Sequence, residues 1–262
     1  MAGIYVHIPY CRSACHYCNF HFSTQLESID QMVDAICIEI LNRSSFLNDE
    51  PIETIYFGGG TPSLLEISSL EKIVNQLYKS FDCNNLKEFT LEANPEDISK
   101  AKLLDWKNLG INRLSIGVQS FFDEDLLYMN RIHDAKTSRQ ALDLCKSFGP
   151  ELISIDLIFG SHTTSNTMWE KNLESFIKYD FQHLSAYGLT VEENTALSHF
   201  IKKGKLPSTD DDKSSTQFMI CMDMTEEAGY KHYEISNYSK LGMEAIHNTN
   251  YWQGVPLSLI HI

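Results

Sequence analysis

Three cysteines fall within eight residues near the start of the chain: Cys11, Cys15 and Cys18, spaced C-x3-C-x2-C. Thiolates are soft ligands, suited to zinc and to iron–sulfur clusters. Three of them are one short of a closed all-cysteine tetrahedral site, so a metal held here keeps an open position for a further ligand or for chemistry. The spacing leaves three outcomes open: an iron–sulfur cluster with one free iron, a zinc site completed by His7, His16 or His21, or three unliganded thiols. The other cysteines, Cys37, Cys83, Cys145 and Cys221, are scattered, and three of these four sit in helix-like contexts that suit a buried free thiol. An odd total of seven without a regular framework fits a reducing compartment, and the expected location is cytoplasmic.

Other residues with chemical capacity lie far apart in sequence. Gly58-Gly59-Gly60-Thr61-Pro62 follows a strand-like run. Glycines there either make a tight turn or let a ligand approach exposed backbone N–H and C=O groups. The segment matches neither a P-loop nor a dinucleotide fingerprint. Glu92 precedes Asn94-Pro95, where it serves a ligand, a helix N-terminus or solvent. Arg131 could pair with a ligand carboxylate, and Gln119 and Asp156 lie at strand ends where polar groups meet ribose or amino-acid ligands. His133 reads as a supporting or surface residue. His247 with Tyr251 and Trp252 forms either an aromatic-lined site with a nitrogen ligand, suited to a flat cofactor, or an amphipathic packing segment. His232 and Tyr233 read as structural.

Elements that would position these residues alternate along the chain. Strand-like runs cover residues 3–8, 54–57, 86–93, 112–118, 152–160 and 182–189, and helical patterns cover 26–43, 66–80, 98–108, 135–147 and 167–178. Six short apolar strands with helices between them predict repeated βα units around a parallel sheet. A doubly wound sheet and a partial or full barrel both fit. In either, the chemistry gathers beyond the strand C-termini, where GGGTP, Glu92, Gln119 and Asp156 fall. Residues 197–215 read as a polar linker or loop, 216–229 as a further helix, and YKHYEISNYS as strand-like. The last residues, VPLSLIHI, follow no earlier pattern. LSLIHI also matches the translation of a common sequencing-library adapter. The expectation is a barrel over 1–200 and an incomplete C-terminal α/β region over 201–262, with 257–262 non-native and the C-terminus truncated.

At 262 residues the chain can hold one large α/β barrel or two smaller domains. Its formal charge of −14 argues against non-specific binding to nucleic acid or to an anionic membrane. No secretory signal and no apolar run of transmembrane length is visible.

Taken together, the motifs resemble the radical S-adenosylmethionine superfamily. YVHIPYC, YFGGGTPS, LEANPE, IGVQSF, NRIH, IDLIFG, YEISNYS and HNTNYW follow one another over about residues 3–254. They are similar to the coproporphyrinogen III oxidase-like (dehydrogenase-like) group, and HNTNYW is similar to the mark of its haem-chaperone branch. The resemblance implies a partial (βα)6 TIM-like barrel. It implies a [4Fe–4S] cluster on Cys11, Cys15 and Cys18, with S-adenosylmethionine (SAM) chelating the fourth iron. Tyr5, Gly60, Thr61, Glu92, Gln119, Arg131 and Asp156 would contact SAM. His247, Tyr251 and Trp252 would handle haem as cargo.

The chemistry it implies is one-electron cleavage of SAM to methionine and a 5'-deoxyadenosyl radical. In an oxidase this radical serves to decarboxylate coproporphyrinogen III propionates to vinyl groups. In a chaperone, haem passes to an acceptor protein, membrane-associated or not, with an electron donor serving the cluster. Oxidases usually carry a further cysteine two residues after the third ligand, where this chain has Phe20, and an N-terminal extension before the cysteine motif. Both departures favour the chaperone branch, whose cofactor machinery leaves enzymatic turnover open. A zinc-stabilised, non-redox barrel is the alternative of another class.

Overall fold

The computed structural model describes residues 1–261. Six parallel strands carry the chain: β1 (Ala2–Ile8), β2 (Ile52–Gly59), β3 (Glu88–Ala93), β4 (Arg113–Gln119), β5 (Leu152–Phe159) and β6 (His183–Gly188). Between them lie α1 (Ile29–Asn42), α2 (Ile67–Ser80), α3 (Lys100–Asn108), α4 (Asp123–Tyr128), α5 (Ala135–Phe148) and α6 (Asn166–Tyr179). After β6 come α7 (Ala196–Lys202), α8 (Asp211–Glu227), the hairpin strands β7 (Lys231–His232) and β8 (Asn237–Ser239), α9 (Ile246–Trp252) and β9 (Leu257–Ile260). Among the described residues, no helix is long and apolar enough to cross a membrane.

The sheet order is β7-β8-β6-β5-β4-β3-β2-β1-β9. Each crossover from β1 to β6 moves the chain one place in the same direction. A doubly wound sheet requires a point where the strand order reverses, and none occurs between β1 and β6. The fold is therefore the partial, incompletely closed barrel. On one edge β8 pairs antiparallel with β6, and on the other β9 pairs parallel with β1.

Period-two alternation divides each strand between two surroundings. Ile55 and Phe57, Phe89 and Leu91, Leu114 and Ile116, and Ile155 and Leu157 are all buried in the main apolar cluster. The alternate positions carry polar groups: Thr54 and Tyr56, Glu88 and Glu92, Arg113 and Ser115, Ser154 and Asp156. The inner surface of this sheet is thus a polar face, and the chemistry lies along it.

The boundaries depart from the sequence reading in three places. Residues 197–215 are not a continuous linker, because α7 occupies their start and α8 begins at Asp211. The Asp210 side chain accepts from Lys213 N at 3.1 Å, which caps α8 and draws the DDKSS run into its first turns. The short helix α4 lacks a long apolar repeat and was not anticipated. The VPLSLIHI segment, without a pattern of its own, forms β9 because β1 offers an open edge of backbone donors and acceptors. Of this segment, Ile262 lies outside the described residues.

The C-terminal elements also close the base of the polar face. The Glu88 carboxylate accepts from Ile246 N (2.9 Å) and His247 N (3.0 Å), at the positive N-terminal end of α9. Arg113 donates to Glu88 at 3.0 Å and to the carbonyls of Met243 (3.1 Å) and Glu244 (3.3 Å). A buried ion pair therefore fastens α9 beneath β3 and β4.

Candidate functional site

Beyond the strand C-termini lies a cavity of about 590 Å³ whose wall includes Cys11, Cys15 and Cys18. The loop that carries them is pinned from several sides. Cys11 N donates to Ser23 O (3.0 Å), His16 N to Met129 O (3.1 Å), and Asn130 Nδ2 to Ala14 O (2.8 Å). Arg12 pairs with the buried Asp97 at 3.1 Å. All three thiols are free and half-buried. Burial pushes Cys11 up to about 11, against the lowering effect of its bond from Thr61.

The three histidines that could complete a zinc site are engaged elsewhere or lie off the cavity. His7 contacts Tyr5 Oη (3.2 Å) through Nδ1 and His21 O (2.9 Å) through Nε2. His16 Nδ1 bonds to Tyr128 O (2.9 Å), and its ring meets Phe200 edge-on. His21 is not among the lining residues. Among the described residues, no three His, Cys, Asp or Glu side chains converge as they would on a single metal ion. A cubane takes one thiolate per iron, so its three sulfurs spread around it. Three free thiols on one cavity wall, with Thr61 and Arg131 each within 3.4 Å of a sulfur, fit a cluster of that kind.

The rest of the anticipated SAM set gathers in the same cavity with one exception. Gly60, Thr61, Glu92, Gln119, Arg131 and Asp156 all line it. Gly60 is there because the chain passes so close: an added Cβ would sit 2.6 Å from Tyr10 O. Gly117 is bare for a similar reason, since a Cβ would meet Gln119 Nε2 at 2.7 Å and crowd Asn94 and Arg131. Gln119 itself adopts a left-handed backbone (φ 65°) where the β4–β5 register slips. Tyr5 does not line the cavity. It stacks on Tyr56, ring centroids 5.8 Å apart, and Tyr56 presents to the cavity instead. Besides Tyr56, the sequence reading missed Asn94, Ser115 and Tyr187, which also line it. Tyr56 and Asn94 lie within the YFGGGTPS and LEANPE motifs, but which residues of a motif face the cavity follows from strand parity and loop register.

Two carboxyls shape the electrostatics. Glu92 accepts from Tyr56 Oη at 2.8 Å, and Asp156 accepts from Ser115 Oγ at 2.9 and 3.1 Å. Neither has a Lys or Arg salt-bridge partner among the described residues. Burial pushes Glu92 up to about 7, with Asp156's charge adding to the rise, and burial pushes Asp156 up to about 6. Arg12 is paired with Asp97, and Arg131, hydrogen-bonded to Asn94 Oδ1 and Gly117 O, offsets only part of the rise at Asp156. A cationic ligand would therefore stabilise two half-buried acids in their ionised form.

The proposed haem trio is not assembled. His247 is buried at the base of the sheet, with Nδ1 2.8 Å from Thr54 Oγ1 and its ring 5.0 Å from Tyr56. Burial lowers it to about 4, so it is neutral. Tyr251 and Trp252 are 70% and 57% exposed, and Trp252 Nε1 donates to Glu234 at 3.0 Å. His247 and Tyr251, one helical turn apart, line one small cleft with Thr54 and Asn250, and Trp252 does not line it. His133, read as supporting, joins Glu96 (3.1 Å) to Val118 O (3.1 Å) behind the cavity. His232 and Tyr233 are structural: His232 stacks on Tyr238, and Tyr233 Oη meets His183 Nε2 at 2.8 Å.

Comparison with known proteins agrees with this geometry. A family model described as Radical SAM superfamily matches residues 5–176. The heme chaperone HemW of Bacillus subtilis (strain 168) is 35% identical over 96% of this chain and 67% of its own length. The Danio rerio protein named radical S-adenosyl methionine domain-containing protein 1, mitochondrial, is 33% identical over 97% of this chain and 57% of its own length. The solved structure of the Escherichia coli coproporphyrinogen III oxidase HemN, a radical SAM enzyme, superposes with a TM-score of 0.84. The two share 23% identity over 98% of this chain and 62% of HemN, a likeness of fold. The chain spans about three-fifths to two-thirds of the length of these relatives. A pinned cysteine triplet sharing a cavity with two carboxyls of raised pKa at the mouth of a partial βα barrel thus has a family, and this chain belongs to the radical SAM superfamily, closely related to its HemW/HemN group.

Proposed function

We propose that this chain holds a [4Fe–4S] cluster on Cys11, Cys15 and Cys18, binds SAM beside it, and applies the pair to a porphyrin-related compound. One observation carries the reading: the three thiols share a cavity wall with Glu92 and Asp156, two half-buried acids without a salt-bridge partner among the described residues. SAM brings an ammonium and a sulfonium, so its charges complement those acids. When bound, the cluster and SAM supply one-electron chemistry. The chain's own residues do the rest. Glu92 and Asp156 hold positive charge, Thr61 and Arg131 orient the cysteine end, and Tyr56 closes the floor.

Within that reading, radical decarboxylation of a coproporphyrinogen-type substrate is the activity the cavity supports best. The anticipated SAM residues gather in one large cavity, while of those expected to handle haem His247 is buried, Trp252 stands apart, and the cleft that His247 shares with Tyr251 is far too small for a porphyrin. A second reading is haem delivery to an acceptor protein. It is favoured by the names of the HemW relatives and by Phe20 in place of a further cysteine. Anaerobic incubation of cluster-loaded protein with coproporphyrinogen III, SAM, a reductant for the cluster and a one-electron acceptor for the electron released with each CO2 tests the first reading. Vinyl-bearing product with stoichiometric 5'-deoxyadenosine is expected. Intact substrate together with tight, saturable haem binding would replace it with the second. A His247→Ala variant with unchanged haem affinity would show that this residue is not a haem ligand.

A further inference from the structure

Thr61 and Arg131 each aim a donor at a different cysteine. Thr61 Oγ1 lies 3.4 Å from Cys11 Sγ, and Arg131 Nη1 lies 3.4 Å from Cys15 Sγ. One side chain joins these two donors. Asn94 Oδ1 accepts from Arg131 Nη2 at 2.5 Å, and Asn94 Nδ2 donates to Thr61 Oγ1 at 3.2 Å. The orientation of that amide follows from the chemistry of its neighbours. A guanidinium has only donors, so the carboxamide oxygen must face Arg131 and the NH2 must face Thr61. A hydroxyl has one proton. Because Thr61 accepts from Asn94, its own proton is left for Cys11 Sγ.

Asn94 is itself held in place. Its backbone N–H donates to Ser63 Oγ at 3.2 Å, and that hydroxyl donates to the buried Asp97 at 2.8 Å. Asp97 also takes Arg12, next to Cys11 in the chain. Arg131 is fixed a third time by Gly117 O at 3.1 Å.

We propose that Asn94 is a positioning residue that sets the proton direction of the chain Cys15–Arg131–Asn94–Thr61–Cys11, and so keeps a hydrogen-bond donor on two of the three cluster thiolates. The inference rests on the cluster reading above. Donors to cluster sulfurs stabilise the more negative, reduced state and raise its potential. Asn94 acts through Thr61 and Arg131 rather than on a reacting atom. Asn94→Asp keeps the shape and reverses the logic. A carboxylate has no donor for Thr61, takes that hydroxyl's proton away from Cys11, and draws Arg131 from Cys15 into an ion pair.

The test is a reductive titration of anaerobically reconstituted full chain, read by electron paramagnetic resonance without SAM. Iron and sulfide are measured first. If the unaltered chain takes up neither, the cluster reading fails, whatever the role of Asn94. If it does, Asn94→Asp should cut the reduced-to-oxidised ratio about tenfold at the unaltered chain's midpoint, about 59 mV for a one-electron couple. Asn94→Ala and Thr61→Val should shift the midpoint the same way by less, and they serve if the Asp variant assembles poorly. The effect of Asn94→Asp should shrink in the Thr61→Val background, because the same proton is already gone. An unshifted midpoint in the single variants would overturn the proposal. So would full additivity in the double variant, which would mark a simple charge effect.

Discussion

Glu92 and Asp156 determine how the cavity responds to pH. Both folded-state pKa values lie above the usual carboxylate values, at about 7 and about 6. A raised carboxyl binds more protons folded than unfolded. Its contribution to stability is therefore present at low pH and lost as pH rises from about 4 towards 7 in the ligand-free chain. A cationic ligand that favours the ionised acids has the opposite profile and binds more tightly as pH rises over the same window. SAM affinity, measured by equilibrium dialysis on cluster-loaded protein, should therefore increase between pH 5 and pH 7. Glu92→Gln should weaken it about 10- to 100-fold at pH 7, the range for one charged hydrogen bond of about 1.5–3 kcal/mol, and should flatten the profile. A separate prediction concerns Cys15, which supplies a proposed ligand and no apolar packing to the core. Cys15→Ser should abolish cluster uptake, seen as loss of iron and sulfide, while unfolding free energy changes by no more than about 1 kcal/mol. Full iron content in that variant would refute the ligand assignment. At this scale the gathering of the cysteines, Gly60, Thr61, Glu92, Gln119, Arg131 and Asp156 was legible in the sequence, because each lies in a short motif at a strand end or in the loop after it. Tyr56 and Asn94 lie in the same motifs, but which residues of a motif face the cavity was not legible. Tyr56 takes the cavity position expected of Tyr5 because β1 and β2 stand side by side, a relation fixed by sheet register rather than by local sequence.

The elements hold these side chains by two devices that differ in kind. At the top, Gln119 is held in a left-handed conformation that costs a non-glycine residue about 1–3 kcal/mol. The next residues anchor it: Phe121 N donates to Asn172 Oδ1 at 2.8 Å, and Ser120 Oγ donates to Asp125 at 2.7 Å. Asp125 is buried and also accepts from Thr163 and Thr164 at 2.6 and 2.9 Å, so the short helix α4 is tied to the β5–α6 loop. At the base, Glu88 is shared by Arg113 and the first amides of α9. Glu88→Ala leaves Arg113 as a buried unpaired charge, which typically costs about 3–5 kcal/mol. The variant should lose that much in urea unfolding, and the amides of Ile246 and His247 should lose hydrogen-exchange protection first. Equal protection in the variant would show that packing alone holds α9. The long amphipathic helices and apolar strands were readable because their period repeats over many residues. Helix α4, the start of α8 and strand β9 were not, because a tertiary anchor, a single cap and an open sheet edge define them instead.

At the scale of the molecule, six βα units in unbroken spatial order convert scattered residues into one site. Alternation along each strand sends apolar side chains to the core and polar ones to the inner face, and the strand ends gather residues from Cys11 to Glu192 around the cavity. The alternation predicted the units, and the sheet order decided between barrel and doubly wound sheet. What the whole fold reverses is the apparent unity of HNTNYW. Six adjacent residues read as one site in sequence, yet on the helix His247 and Tyr251, one turn apart, share a face, with His247 buried against the sheet and Tyr251 exposed at its edge, while Trp252 turns away to Glu234. The central claim is that the cavity joins an iron–sulfur cluster to SAM. It is tested most directly by recording the electron paramagnetic resonance spectrum of the reduced, reconstituted chain with and without SAM, beside Cys15→Ser. The account predicts a [4Fe–4S] signal in the unaltered chain that changes on adding SAM, and no such signal in the variant. A chain that carries zinc without iron and sulfide, or a cluster signal indifferent to SAM, would contradict it.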